Sequence, residues 1–147
     1  THNISTQTVI LAGMNENQEG RLLPKHFFWG ASTASHQVEG GNVNQWSEWE
    51  LANAKVLAQT AHQGLNTLPR WNSIKPFAED PNNYVSGRGV EHYTRYEEDF
   101  DIAKSLHLNA FRFGIEWSRV EPEEGKWDAE AVAHYKKYIL ELRARGL

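Results

Sequence analysis

The sequence has no cysteine among its 147 residues, which excludes a disulfide framework and a thiolate metal site. It also lacks a long hydrophobic run, since the apolar stretch from Val9 to Met14 is far shorter than the roughly 20 residues that cross a membrane. The formal net charge of -4 argues against nucleic acid or an anionic membrane surface as the main partner. These features predict a cytoplasmic protein that acts on a small molecule, without nucleic-acid or membrane partners.

Motifs of several common enzyme chemistries are missing as well. Gly87-Arg88-Gly89 begins like a dinucleotide-binding fingerprint but lacks the third glycine. The histidines show no zinc-protease spacing next to a carboxylate, and no serine lies in a Gly-x-Ser-x-Gly elbow. The sequence therefore predicts no cofactor, no metal and no acyl-transfer chemistry.

Tryptophan, by contrast, is several times more frequent than in average proteins. The six tryptophans are Trp29, Trp46, Trp49, Trp71, Trp117 and Trp127. Together with polar side chains at predicted strand ends, they suit a neutral polyhydroxylated ligand, whose CH faces pack on indole rings and whose hydroxyls bond amides or carboxylates. For the tryptophans of the long excursion over residues 42–90, a small satellite core is the alternative.

The stretch Asn109–Arg119 predicts a buried strand with two different faces. One face carries Phe111, Phe113, Ile115 and Trp117, and the other carries Arg112, Gly114, Glu116 and Ser118. An arginine inside a domain must be paired, because an isolated buried charge is very costly. Either Glu116 or a carboxylate elsewhere is expected to pair with Arg112.

Other segments predict the remaining elements. Leu22–Ser35 predicts a first strand, which follows an N-terminal arm over residues 1–21, and 46–63 predicts a helix. A second helix, at about 90–106, has the apolar face Tyr93, Tyr96, Phe100 and Ala103. Asp128 predicts the N-cap of a last helix with the core face Val132, Tyr135, Ile139 and Leu142.

This order of elements is typical of parallel βα units with helices outside the sheet. Only two units are present, whereas a closed (β/α)₈ barrel needs about 250 residues. Two parallel strands are also a poor sheet on their own. Residues 22–147 are therefore predicted to form part of a larger α/β domain.

Two motifs resemble a known family. Residues 28–40, reading FWGASTASHQVEG, resemble the N-terminal signature of glycoside hydrolase family 1, the β-glucosidase and β-galactosidase family. Residues 92–99, 111–122 and 125–128 resemble the same family's first helix, second strand and second helix. The resemblance implies a (β/α)₈ TIM barrel, of which this chain supplies about the first two βα units.

The resemblance also implies roles for individual residues. Gln37 matches a glutamine that bonds sugar hydroxyls, and Arg112 matches an arginine that stands beside the nucleophilic glutamate and keeps it ionised. Glu116 matches neither of the family's catalytic glutamates, so the resemblance implies a role in charge balance or packing. His36 stands where the family usually has an aromatic residue.

In this family both catalytic glutamates come from later strands, and neither of their motifs occurs here. The chain is therefore expected to be part of a retaining β-glycosidase that acts on glucosides or galactosides by double displacement, and to be inactive alone. Its expected partners are a sugar or oligosaccharide substrate and the remainder of the barrel, from the same parent chain or a second chain. The alternatives are a carbohydrate-binding module without catalysis and a structural fragment that associates with itself.

Overall fold

The computed structural model describes residues 23, 24 and 26–147; the predicted arm over residues 1–21 lies outside them. The described elements, in chain order, are β1 (Gly30–Ser32), α1 (Ser35–Val38), α2 (Gln45–Leu65), α3 (Trp71–Ala78), a 3₁₀ helix (Pro81–Tyr84), α4 (His92–Ser105), β2 (Ala110–Arg112), α5 (Trp117–Val120) and α6 (Ala129–Ala144). None of the described helices is both long and apolar enough to span a membrane.

The two described strands are parallel neighbours, which confirms the predicted βα arrangement. Gly30 pairs with Ala110 and Ser32 pairs with Arg112. The strands approach closely at Gly30, where an added Cβ would lie 2.7 Å from the carbonyl oxygen of Ala110. A glycine is required at this position because any side chain would force the strands apart.

Both strands are much shorter than predicted. The interpretation of Asn109–Arg119 as one buried strand is wrong, because β2 ends at Arg112 and α5 begins at Trp117. The backbone N–H of Glu116 donates to the hydroxyl of Tyr135 instead of to a neighbouring strand. Beyond β2 the predicted alternation therefore fails, and Ile115 and Trp117 are exposed.

The first strand is likewise confined to Gly30–Ser32, although the sequence predicted it over Leu22–Ser35. The last described ladder bond runs from the Thr33 N–H to the Arg112 carbonyl, at 2.9 Å. Helix α1 then begins at Ser35, so the polar segment that follows the strand starts with one helical turn, Ser35–Val38.

The main core lies between α4, α6 and β2. Its buried members are Tyr96, Phe100, Tyr138 and Leu142, and Phe111 and Phe113 pack against them. The predicted core face of α4 is confirmed, with Tyr93 only half-buried. On α6 the assignment of Ile139 to the core is wrong, because Ile139 is 39% exposed and Tyr138 occupies the core position instead.

The excursion between β1 and α4 forms a second, smaller packing unit. Helix α2 covers the predicted helix over 46–63, and Asn44 caps it by accepting from the N–H groups of Trp46 and Ser47. Small residues Ala54, Ala58 and Ala61 are its buried positions. Trp71 is buried against the ring of His62, so it belongs to a satellite core, whereas Trp46 and Trp49 stay exposed.

Candidate functional site

The carboxyl ends of β1 and β2 open onto a cavity of about 800 Å³, the position at which βα folds place their ligand sites. Its walls come from the segments that follow the two strands. The lining residues are 33–36 and 43–46 on one side, and 112–114, 116–118, 121 and 122 on the other. The structure thus brings together three of the predicted site residues, His36, Arg112 and Glu116.

Arg112 is the last residue of β2 and lies at this cavity. Its side chain is exposed, and Glu116, one of the two expected partners, does not pair with it. Its guanidinium donates to the hydroxyl of Ser32 at 3.2 Å. Within residues 23, 24 and 26–147, no carboxylate forms an ion pair with it. Pairing with a carboxylate elsewhere stays a prediction.

Glu116 is buried beside Arg112 but does not pair with it. Its carboxylate accepts from the hydroxyl of Ser118 at 2.8 Å and from that of Ser35 at 3.2 Å. Burial acts to raise the pKa of Glu116, but these hydrogen bonds outweigh burial and lower it. Glu116 is therefore an ionised carboxylate that ties the end of β1 to the segment after β2.

His36 lines the cavity and belongs to a polar cluster with Glu50 and Ser86. Its Nε2 lies 2.9 Å from Oε1 of Glu50, and the Ser86 hydroxyl donates to Oε2 of Glu50 at 2.8 Å. The Nδ1 of His36 lies 3.3 Å from the amide nitrogen of Asn44, which can only donate. A neutral ring with its proton on Nε2 satisfies both contacts. This cluster anchors the segment after β1 to α2.

Gln37 lies on α1 next to His36, and its side chain is exposed. Of the predicted site residues, all of which the structure describes, it alone does not line the cavity. The Gly87-Arg88-Gly89 turn packs under its backbone. An added Cβ at Gly89, where φ is +53°, would lie 3.0 Å from the carbonyl oxygens of Gln37 and Val38. Gly89 thus serves close backbone packing, whereas Gly87, where φ is +52°, serves the turn itself.

Sequence reasoning missed the most buried polar group of this region. Glu39 is 4% exposed and accepts from the hydroxyl of Tyr135, at 2.8 and 3.0 Å from its two oxygens. Nε of Arg119 also donates to it, at 3.2 Å. Burial raises the pKa of Glu39 in spite of these partners. The rule that a buried arginine needs a charged partner applies to Arg119. Had the rule been applied to Arg119 instead of to Arg112, it could have identified the Glu39–Arg119 pair.

Arg119 has further partners that fix its position. Its guanidinium lies 4.0 Å above the ring of Tyr93, and one terminal nitrogen donates to the side-chain oxygen of Asn42 at 2.8 Å. The ring of His134 also stacks on that of Tyr93, with the two ring centroids 3.8 Å apart. The cation is thus held by a carboxylate, an amide and an aromatic face, as a partly buried arginine requires.

The chemistry of the cavity favours a polar organic ligand. Exposed indoles of Trp46 and Trp117 lie in its wall beside the amide of Asn44 and the cation of Arg112. Among the described residues, no group of three histidine or acidic side chains is placed to hold a metal ion. Indole faces with amide and charged groups match the requirements of a polyhydroxylated ligand.

Comparison with known proteins agrees with this geometry. Beta-glucosidase 44 of Arabidopsis thaliana is 31% identical over 149 aligned residues, which cover 97% of this chain and 25% of that protein. The crystal structure of a β-glycosidase is 38% identical with a TM-score of 0.56, covering 85% of this chain and 24% of that one. The β-glycosidase from Pyrococcus horikoshii is 29% identical with a TM-score of 0.60, covering 85% and 23%.

The chain thus spans about a quarter of the length of the relatives that it matches. The solved relatives are family 1 glycosidases with the TIM-barrel fold, and the two parallel strands and outer helices described here correspond to a part of it. The sequence model of glycosyl hydrolase family 1 matches residues 19–147, which include both strands and every residue of the cavity wall. The chain belongs to glycosyl hydrolase family 1.

Proposed function

We propose that this chain is the N-terminal part of a retaining β-glycosidase that hydrolyses β-linked glucosides or galactosides, with both catalytic glutamates outside it. The observation that carries the proposal is Arg112, a cation at the cavity whose described polar partner is a serine hydroxyl. A nearby positive charge lowers the pKa of a carboxylate and favours the ionised form that a nucleophile needs. Arg112 is thus available to a glutamate that the rest of the barrel supplies.

The carboxylates at this cavity are unsuited to the catalytic roles themselves. Retaining hydrolysis needs two carboxyl groups roughly 5 to 5.5 Å apart across the scissile bond, one as nucleophile and one as acid and base. Glu116 and Glu121 are the described carboxylates that line the cavity. Glu116 is bonded to two serines, and Glu121 accepts from the indole N–H of Trp117 and the backbone N–H of Gly125. Because both are engaged in structural contacts, neither acts as the nucleophile or the acid.

The substrate is a sugar or oligosaccharide that contacts Gln37 through its hydroxyls. Gln37 presents an exposed amide next to His36 in the cavity wall, and an amide can donate to one hydroxyl and accept from another. A ligand that fills the cavity and reaches past His36 would contact it.

The second partner is the remainder of the barrel. All three residues of β1 are exposed, as are the neighbouring Phe28, Trp29 and Ile115. Such apolar surface beside an uncovered strand is the type that a packed domain buries. Further strands and their helices would cover it.

The test uses the full-length protein that contains this chain and a chromogenic β-glucoside. We expect turnover by the unaltered protein and a loss of about 100-fold in kcat/KM for Arg112→Met, the order found when one electrostatic partner leaves an active site. The acidic limb of the pH–rate profile should also move to higher pH, because the nucleophile loses its neighbouring cation. Arg95→Met, which removes an exposed arginine of α4 that does not line the cavity, is the control. No hydrolysis of any β-glucoside or β-galactoside would overturn the proposal.

A further inference from the structure

The segments that follow the two strands each contribute one buried carboxylate, and each carboxylate is bonded to the other segment. We call residues 33–44 the β1 loop and residues 113–121 the β2 loop. Glu39 of the β1 loop accepts from Arg119 of the β2 loop at 3.2 Å. Glu116 of the β2 loop accepts from Ser35 of the β1 loop at 3.2 Å. The two buried carboxylates therefore join the loops in opposite directions, and Arg119 adds bonds to Gly40 and Asn42 of the β1 loop.

The hydroxyl of Tyr135 contacts both loops at once. Tyr135 lies on α6, outside the loops, and is 4% exposed. Its hydroxyl donates to the carboxylate of Glu39, and it accepts from the backbone N–H of Glu116 at 3.1 Å. This single oxygen thus ties the buried acid of one loop to the main chain of the other.

We propose that Tyr135 is a positioning residue, whose hydroxyl sets the β1 loop, with Gln37, against the β2 loop that follows Arg112. Gln37 lies two residues before Glu39 and Arg112 lies four residues before Glu116, so each carboxylate is a few residues from a predicted site residue. A shift at Glu39 would move the predicted substrate-binding residue Gln37, and a shift at Glu116 would move the segment that follows Arg112. The effect on substrate rests on the proposed function. The effect on the two loops rests on the contacts alone.

Removal of the Tyr135 hydroxyl should also affect the groups of the two loops that it bonds. In Tyr135→Phe the carboxylate of Glu39 loses one donor and the N–H of Glu116 loses its acceptor, and both groups are buried. A buried polar group left without its partner costs more than the bond contributed. The loops can regain solvent contact only by opening, which makes local opening more frequent.

The same helix supplies a matched control. Tyr138 is 2% exposed, and its hydroxyl contacts Nε2 of His92 at 2.9 Å in the main core. Tyr138→Phe therefore removes one buried hydroxyl from α6 whose bond to His92 lies outside both loops, and it keeps the ring that packs on Phe113. Any effect common to both variants reports the loss of a buried hydrogen bond and not positioning.

The test is amide hydrogen exchange of the full-length protein that contains this chain, read segment by segment. We expect amide exchange in residues 35–42 and 114–119 to be at least about fivefold faster in Tyr135→Phe than in Tyr138→Phe. Amide exchange in α4 should not be faster in Tyr135→Phe than in Tyr138→Phe. Equal acceleration in both variants, or acceleration spread evenly over the chain, would overturn the proposal. If Tyr135→Phe does not fold, Ser35→Ala is used instead, which removes the hydroxyl that donates to Glu116 across the two loops. Faster amide exchange at residues 114–119 is again expected.

Activity of the full-length protein separates this inference from the proposed function. With a chromogenic β-glucoside, kcat/KM should fall about tenfold in Tyr135→Phe and stay within about twofold in Tyr138→Phe. If the unaltered protein shows no turnover, the proposed function fails while the exchange experiment still decides the role of Tyr135. If turnover is normal in Tyr135→Phe and its loops are not loosened, the positioning role fails alone.

Discussion

Glu39 and Glu116 are both buried and both bonded between the same two loops, yet their surroundings shift the pKa of each carboxyl group in opposite directions. Burial dominates at Glu39 and raises its pKa above the ordinary 4.5, despite the donors Tyr135 and Arg119. At Glu116 burial is outweighed by hydrogen bonds, among them those from Ser118 and Ser35, and the pKa is lowered. The two acids should therefore affect the pH dependence of stability with opposite signs.

Glu39 should make the folded chain less stable as the pH rises. A raised folded-state pKa means that the folded state holds this proton more tightly, so the contribution is fully present below pH 4.5 and is lost as the pH rises through the raised value. In Glu39→Gln this decline should disappear, with little change below pH 4.5 because an amide resembles the protonated acid. Urea unfolding at a series of pH values measures how the free energy of unfolding changes with pH. Glu124→Gln, at an exposed position in the turn before α6, is the control. If the free energy of unfolding of Glu39→Gln declined with rising pH as steeply as that of the unaltered chain, the assignment of this decline to Glu39 would be wrong.

Glu116 should show the opposite dependence. Its lowered folded-state pKa gives a contribution that is present above pH 4.5 and is lost as the pH falls through the folded value. Glu116→Gln should therefore reduce the free energy of unfolding at pH 7 by about 1 to 2 kcal/mol and remove part of the loss in acid. The same unfolding series measures this effect. Equal stability of variant and unaltered chain at pH 7 would show that the two serine bonds contribute nothing net.

His134 should destabilise the chain in mild acid. Its ring stacks on Tyr93, its Nε2 is buried, and no described residue bonds that nitrogen. Burial, assisted by the charges of Arg119 and Lys137, lowers the pKa of His134 below 6.5. The unfolded state thus takes up the proton first, and stability falls as the pH drops below 6.5.

His134→Phe, which keeps an aromatic ring on Tyr93, should lessen this fall. The measurement is the difference in the free energy of unfolding between pH 7 and pH 5.5, with His26→Gln, an exposed histidine, as the control. A fall of the same size in His134→Phe and in the unaltered chain would contradict the assignment of this window to His134.

The helices could be predicted well because their signals are local. The spacing of Tyr96, Phe100 and Ala103 identifies the buried face of α4, and the carboxylate of Asp128 caps α6 by accepting from Glu130 and Ala131. Ile139 and Tyr138 are adjacent, and both suit an apolar face. Which of them enters the core depends on how α6 is rotated against α4, a tertiary property that spacing alone does not fix.

The strands and the polar contacts could not be read from the sequence in the same way. Alternation from Phe111 to Trp117 fits a long strand, but the strand ends at Arg112. Beyond it, the N–H of Glu116 donates to Tyr135, 19 residues later in the chain, a contact that local alternation does not predict. The pairing of Glu39 with Arg119 likewise joins positions 80 residues apart. The family resemblance placed Arg112 and His36 at a site, and the structure puts both in the cavity wall. The substrate role of each stays a prediction.

The central claim is that this chain forms one side of a glycosidase site and lacks its catalytic carboxylates. The most direct measurement is hydrolysis of a chromogenic β-glucoside by the purified 147-residue chain and, in parallel, by the full-length protein that contains it. We expect no release of chromophore above the enzyme-free blank from the chain alone, and turnover by the full-length protein. Turnover by the 147-residue chain would contradict the account, because the carboxylates that it assigns to the rest of the barrel would then lie within these residues.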